Sequence, residues 1–376
     1  MHADSEHDAL LRLLHSGAPA GILRRLLDSH GSALAACSAG PRDWSSHGLT
    51  AEACQAILAP NAAAMLTSLR WLQADAHHLL GWRDEAYPPL LRRTASPPAM
   101  LFVAGDPLLL WRPAVAVVGS RVATAGGRDN AARFAAAFAR RGLCVTSGLA
   151  AGIDAAAHQA TLDADGHTVA VLGTGPDIAY PVRHRPLLDR VEASGAVVSE
   201  HPPGTQPLRQ HFPSRNRILA GLTLGTVVVE AAEQSGALIT ARLAADAGRE
   251  VFALPGSIHN PMARGCHRLI RDGAQLVESA EEVLDVISPL AADLARALRG
   301  DLLPPEHTVP EARETDGTLD PDYNRLWKAL GHDPTGMDEL VERSGLTTAV
   351  VSSILLALEL DGKVAAEHGR YTRIGL

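Results

Sequence analysis

The stretch AVAVVGSRVATAGGRDNAARFAAAFARRGLCVTSGLAAGID (114–154) decides the fold. AVAVV is a continuous apolar run, as a strand covered on both faces requires. RDNAARFAAAFARRG carries apolar residues at helical spacing and ends on a glycine stop. LCVTSG is a second buried strand, and IDAAAHQATLDADG opens the next helix. Outward from this unit the alternation continues. HTVAVLGTG, AVVSE, TVVVEAA, EVFALPGS and AQLVES read as strands. RHRPLLDRVEASG, RNRILAGL, GALITARLAADAGR, HRLIRDG and AEEVLDVI read as helices. Apolar strands alternating with helices predict an α/β fold, a doubly wound parallel sheet of the extended Rossmann-like kind. Upstream, residues 1–82 read as helices, with apolar residues three and four apart between Gly and Pro breaks. A Pro-rich connector with one strand-like run, MLFVAG, leads into the sheet. The expected domains are therefore a helical one over 1–82, the sheet domain over 83–287, a linker over 288–320 and a small helical domain with two terminal strands over 321–376.

Charge narrows the possible partners. The chain has 376 residues and a formal charge of −8, yet residues 301–376 hold 14 acidic against 7 basic residues, so the tail carries nearly all of that excess. The middle of the chain is close to neutral, and overall charge does not exclude an anionic partner there. Cys37, Cys54, Cys144 and Cys266 lack paired spacing, which excludes a disulfide scaffold and a zinc site of the CxxC type. The histidines show no ligand spacing, so no metal is expected. No apolar run reaches the ~20 residues of a membrane span, and the start, MHADSEHDALL, lacks a signal-peptide profile. A reducing cytoplasm is the expected location.

Ligands of such sheets bind beyond the carboxyl ends of the strands. Those ends carry glycine turns, GSR (119–121), SGLAAGID (147–154), GTGPD (173–177) and PGS (255–257). Gly admits close backbone approach, and free amides at a helix start favour anions. Together the turns suit a phosphate-binding rim, with Gly119, Ser120 and Arg121 at its first turn; taken singly, each turn could equally serve tight packing. HFPSRNRILAGL (211–222) adds most. With Ser214 as N-cap, Arg215 and Arg217 fall in the first helical turn, where cations oppose the helix dipole at about 0.3–1 kcal/mol each. A phosphate across that end would relieve the cost; so would a carboxylate such as Glu200 or Glu230. Aromatics are only 4% of the chain, so a loop aromatic stands out. Within residues 113–285, Phe134, Phe138 and Phe252 read as core, leaving Tyr180 and Phe212 in loops. Phe212 beside Arg209, Arg215 and Arg217 matches the needs of an unpaired nucleic acid strand, a flat ring for a base and cations for the backbone. It could instead be a hydrophobic staple at the helix entry.

The motifs VGSR, SGLAAGIDAAAH, GTGPDIAYP, SEHPPGTQP, HFPSRNRILAGL, VVVEAAEQSGALITARLAADAGREVFALPG and GAQLV resemble those of the DNA-processing protein A (DprA/Smf) family, over about 83–285. The flanks fit a sterile-alpha-motif or helix-hairpin-helix unit before the sheet and a winged helix after it. The resemblance implies a single-stranded DNA-binding protein of natural transformation that protects incoming strands and loads RecA recombinase. It also implies a homodimer formed through the Rossmann-like domain, no catalytic activity and no cofactor. Carried over by position, the DNA pocket comprises Gly119, Ser120, Arg121, Arg209, Phe212, Arg215, Asn216 and Arg217. The pattern departs from the family's at His184 and at Cys266–His267.

Two other classes compete. In a nucleotide phosphoribohydrolase, Glu230 would assist glycosidic cleavage; a second acid is harder to place, since Asp154 and Asp177 read as turn or capping residues. Asp154 and His158 are four apart on a helix and read as a structural hydrogen-bonded pair. Ser147 and Ser257 lack a neighbouring His in sequence, and GxGxxG is broken at Asp177, against a dinucleotide enzyme. A recombination scaffold touching DNA weakly is the third reading. In the tail, the recognition helix expected over Thr347 to Leu360 contains no Lys or Arg. It would forgo the phosphate contacts that dominate DNA affinity, so a contact with protein or with its own chain is the expected role of that domain.

Overall fold

The computed structural model describes residues 5–302 and parts of 325–373. The chain forms two compact units, Met1–Leu302 and Leu303–Leu376. In the first, strands β1 (His77–Gly81), β2 (Met100–Gly105), β3 (Ala114–Val118), β4 (Cys144–Ser147), β5 (Thr168–Leu172), β6 (Ala196–Ser199), β7 (Gly225–Val228), β8 (Glu250–Ala253) and β9 (Gln275–Leu276) build one sheet, in the order β1-β2-β6-β5-β4-β3-β7-β8-β9. From β6 through β9 all pairings are parallel, whereas β2 runs antiparallel to β6 and β1 antiparallel to β2.

Side-chain alternation distributes each strand between two cores. Ala114, Ala116 and Val118 face Ile218, Leu219, Ala237 and Ala241 of the helices His211–Gly221 and Gly236–Asp246. Val115 and Val117 face Phe134, Phe138, Ile153 and Ala157 of the helices Ala125–Arg140 and Ile153–Asp163. The rings of Phe134 and Phe138 meet edge to face at 6.0 Å. Both faces are covered, which is what the continuous apolar strands require.

Three boundaries differ from expectation. Residues 77–81 form β1 rather than a helix, and Leu79, Met100 and Phe102 share one apolar cluster with Leu10, Leu26 and Trp44. The amino-terminal helices are thus built onto the sheet edge. The last helix runs Ala280–Leu302, through Pro289, so 288–302 is helical rather than linker; 303–320 lies outside the described residues. The third difference concerns the helix after β6. It starts at His211, with Gln210 as N-cap. Pro213 falls in its first turn, where the missing N–H has no helical partner to lose. Ser214 therefore does not cap, and its hydroxyl donates back to the His211 carbonyl at 3.0 Å.

The second unit pairs β10 (Thr335–Gly336), β11 (Val364–Glu367) and β12 (Arg370–Arg373) around Leu326, Leu330, Leu340, Val351, Leu355 and Leu358. Much of the recognition helix expected over Thr347 to Leu360 lies outside the described residues.

Candidate nucleic-acid interface

Strand order locates the site. The chain lays down β3 to β6 on one side, then crosses back to place β7 on the other side of β3. Ligand crevices open where strand order reverses, beyond the carboxyl ends. The returning segment is the helix His211–Gly221, so its first turn lies over that switch point. A cleft of about 710 Å³ opens there, lined by Gly119, Ser120, Arg121, Arg209, Phe212 and Tyr180 among others.

The ring of Phe212 is half-buried, and the Arg121 guanidinium lies 5.3 Å from its centroid. Tyr180, 42% exposed, tilts against it at 5.2 Å. Arg121 and Arg209 are exposed and form no ion pair among the described residues. Ser120 is buried; its N–H donates to the Glu230 carbonyl at 2.7 Å and its hydroxyl accepts the Val122 N–H at 3.1 Å. Asn216 ties the helix to its neighbour, donating to Gly236 O at 3.4 Å.

Two of the four candidate arginines are committed elsewhere. Arg215 is 4% exposed. Its guanidinium donates to the carbonyls of Gly148 and Val171, and its Nε to Asn216 Oδ1. Burial lowers its pKa to about 10, partly countered by Asp154, so it stays charged at neutral pH. Glycine is required at 148 by this side chain, since a Cβ there would collide with the guanidinium. Arg215 therefore forms the floor of the cleft instead of reaching out. Arg217 does not line the cleft. It pairs with Glu200 and donates to Ser96 O at 2.7 Å, pinning the helix to the connector before β2. Burial pushes the Glu200 carboxyl up against the pull of Arg217. Both arginines sit past the first turn and are satisfied by protein, so the dipole conflict expected from sequence is absent.

The other acids and bases are occupied too. Glu230 accepts the N–H of Thr124 at 2.9 Å and its hydroxyl at 2.6 Å, fixing the start of the helix Ala125–Arg140. Asp177 accepts the Gly204 N–H at 2.9 Å. Asp154 and His158 do not bond each other. Asp154 accepts the amides of Gly148 and Ala150, and burial raises its pKa. His158 meets Thr168 Oγ1 at 2.7 Å, and its Nε2 has no partner among the described residues. His184, off the family pattern, meets Leu149 O through Nδ1 at 2.9 Å, while Cys266 is buried and His267 Nε2 lies 3.0 Å from Gly256 O.

His158 gives a pH prediction. Burial, with Arg215 and His184 nearby, lowers its pKa to about 3 from 6.5. Below pH 6.5 the unfolded chain binds a proton there that the folded chain refuses until about pH 3. Stability from this group is then fully present above pH 6.5 and falls on acidification, approaching about 1.4 kcal/mol per pH unit between the two pKa values. His201, lowered to about 4 by burial and by His211, acts in the same direction. Urea unfolding at pH 6.5, 5.5 and 4.5 should show the decline, with a shallower slope in His158→Gln; parallel slopes would refute the assignment.

Sequence reasoning left out part of the lining, notably Ser235, Ile239, Thr240 and Met262. Ser235 caps the helix Gly236–Asp246 by accepting the Ala237 N–H at 3.2 Å. Its Ser-Gly entry to a helix is a readable cap signal, but only the β3–β7 adjacency brings it to Gly119. Among the lining residues the cations are Arg121, Arg209 and Arg215 and the acid is Asp154. The cleft is locally positive in a negatively charged protein.

The switch point of this Rossmann-like sheet carries two exposed arginines beside a pair of aromatic rings. The family model described as DNA recombination-mediator protein A matches residues 78–288, and that of the DprA winged helix domain matches 310–370. The chain belongs to the DprA/Smf family. It is 41% identical over 328 residues to Protein Smf of Escherichia coli, covering 87% of this chain and 85% of that protein. The X-ray structure of DprA from Streptococcus pneumoniae aligns with a TM-score of 0.67 at 35% identity, over 76% of this chain and 98% of that one. A DprA structure from Helicobacter pylori, described as giving insights into its unique single-stranded DNA binding mode, aligns with a TM-score of 0.51 at 26% identity, over 58% of this chain and 96% of that one.

Proposed function

We propose that this protein binds single-stranded DNA in the cleft between β3 and β7 and acts in the processing of DNA taken up in transformation. The observation that carries the reading is the Arg121–Phe212–Tyr180 group at the switch point, a cation over one ring with a second ring beside it. The single-stranded DNA binding described for the Helicobacter pylori relative agrees with it. In this reading Phe212 stacks on a base, and Arg121 and Arg209 neutralise phosphates. Gly119, Ser120 and Asn216 shape the rim, while Arg215 and Arg217 hold the helix that presents the ring. The loaded strand is passed to RecA recombinase, and the protein works as a homodimer in the cytoplasm through its Rossmann-like domain. No helix among the described residues is long and apolar enough to cross a membrane. The acidic winged-helix unit serves protein contacts rather than DNA.

The salt dependence of oligo(dT) binding tests this. Each neutralised phosphate on a single strand contributes about −0.7 to the slope of log K against log salt. Two exposed arginines predict a slope of about −1.4, and Arg121→Ala should reduce its magnitude by about 0.7. A flat response in the parent protein would refute an arginine-lined strand site. RecA pull-down with and without DNA tests the handover.

A further inference from the structure

The amino-terminal helices gather three side chains that the cleft does not use. The helix Ala20–His30 places His30 in its last turn, before Gly31 turns the chain at a φ of 76°. The helix Pro41–Ser46 carries Asp43 in its first turn, and His47 follows directly as its C-cap. Asp43 and His47 are four apart and share a face. Buried Trp44, whose Nε1–H donates to Ala36 O at 2.7 Å, holds this short helix in place. His30 Nε2 then lies 2.8 Å, and His47 Nδ1 3.4 Å, from the same Asp43 Oδ2. One ligand atom from each residue lies within 4.8 Å of the other two. All three side chains are between 21% and 33% exposed, ordered by packing yet open on one side.

We propose that His30, Asp43 and His47 form a binding site for a divalent transition-metal ion, zinc or one of similar chemistry, with water completing the coordination. Two imidazoles and a carboxylate are a zinc-type donor set. Calcium and magnesium demand more oxygen ligands than this group offers. Bonds of ~2.1 Å in a tetrahedron place ligand atoms about 3.4 Å apart. The observed separations from Asp43 Oδ2, 2.8 Å and 3.4 Å, bracket the short side of that spacing, and all three ligand atoms lie within 4.8 Å of one another. The far nitrogen of His47, Nε2, lies 3.1 Å from Ser29 Oγ. When Nε2–H donates to that hydroxyl, Nδ1 is left unprotonated with a lone pair free for an ion, and the Ser29 contact is the outer hydrogen bond that orients a ligating histidine. Without an ion the same ring reverses its tautomer and donates Nδ1–H to Asp43, whose main-chain carbonyl is 3.0 Å away. A plain hydrogen-bond bridge and a metal site share these atoms, and cation uptake separates them. The ion would clamp the end of the helix Ala20–His30 to the helix Pro41–Ser46.

The full chain without an affinity tag, titrated with cobalt(II), should develop the visible absorption of a low-coordinate cobalt site, saturating at one equivalent and bleached by zinc. Calorimetry with zinc should give one site, weakened at least tenfold in Asp43→Asn and in His47→Gln. Circular dichroism checks that both variants fold, and oligo(dT) binding should be unchanged because the group lies outside the cleft. No cobalt absorption in the parent chain would overturn the proposal. So would variants that bind zinc as tightly as the parent, which is how scattered surface sites among the 17 histidines would behave.

Discussion

Phe212→Ala should weaken oligo(dT) binding by about ten- to a hundredfold while leaving the melting temperature nearly unchanged. Stacking on an aromatic side chain is worth about 1–3 kcal/mol per base, and each ~1.4 kcal/mol is a factor of ten. The ring belongs to none of the apolar core clusters. Its neighbours are Arg121 and Tyr180, both at the cleft mouth. Removing it therefore takes away a platform and leaves the interior filled. Phe212→Trp should retain most of the affinity. A large fall in stability with affinity intact would mean that the ring acts only as a staple for the helix, and the proposed base platform would fail.

Arg215→Met should do the opposite, destabilising the fold by about 3–5 kcal/mol, the usual cost of removing one partner from a buried charged network. The lost guanidinium would orphan the carbonyls of Gly148 and Val171 and leave buried Asp154 without its main compensating charge. Each unsatisfied buried acceptor costs about 1–3 kcal/mol. Chemical denaturation reads the effect. A variant of unchanged stability that merely binds DNA less well would show that Arg215 points outward after all.

These two residues mark what was legible in the sequence. The alternation over 114–285 was readable because a strand covered on both faces must be apolar throughout, and the five strands β3 to β7 repeat that demand. Phe212 stood out because the sheet domain has so few aromatics, although it lies in the first turn of the helix His211–Gly221 and not in the loop expected for it. The direction of a side chain was not readable. Arg215 and Arg217 are both cations on one helix, and nothing in their spacing says that one turns inward to Gly148 while the other reaches back to Glu200. Those partners lie 67 and 17 residues away and meet them only through the crossover from β6 to β7. β1 was hidden for a different reason. HHLLG is five residues long, continues an apolar helical pattern, and becomes a strand because β2 offers it an antiparallel edge. The His30–Asp43–His47 group was invisible for the same reason as the arginine partners, since a helix end, a loop and a second helix bring it together.

Gly152 holds a left-handed φ of 84°, and a Cβ there would collide with the Ser120 carbonyl, which accepts the Ile153 N–H at 3.2 Å. The turns after β3 and β4 are thus latched together, and Glu230 latches the first of them to β7 through the Ser120 N–H. The mouth of the cleft is assembled before anything enters it. A strand docking there would meet a backbone of finished shape, so the protein's share of the ordering falls to exposed side chains such as Arg121 and Arg209, and the backbone of free and occupied rims should superimpose.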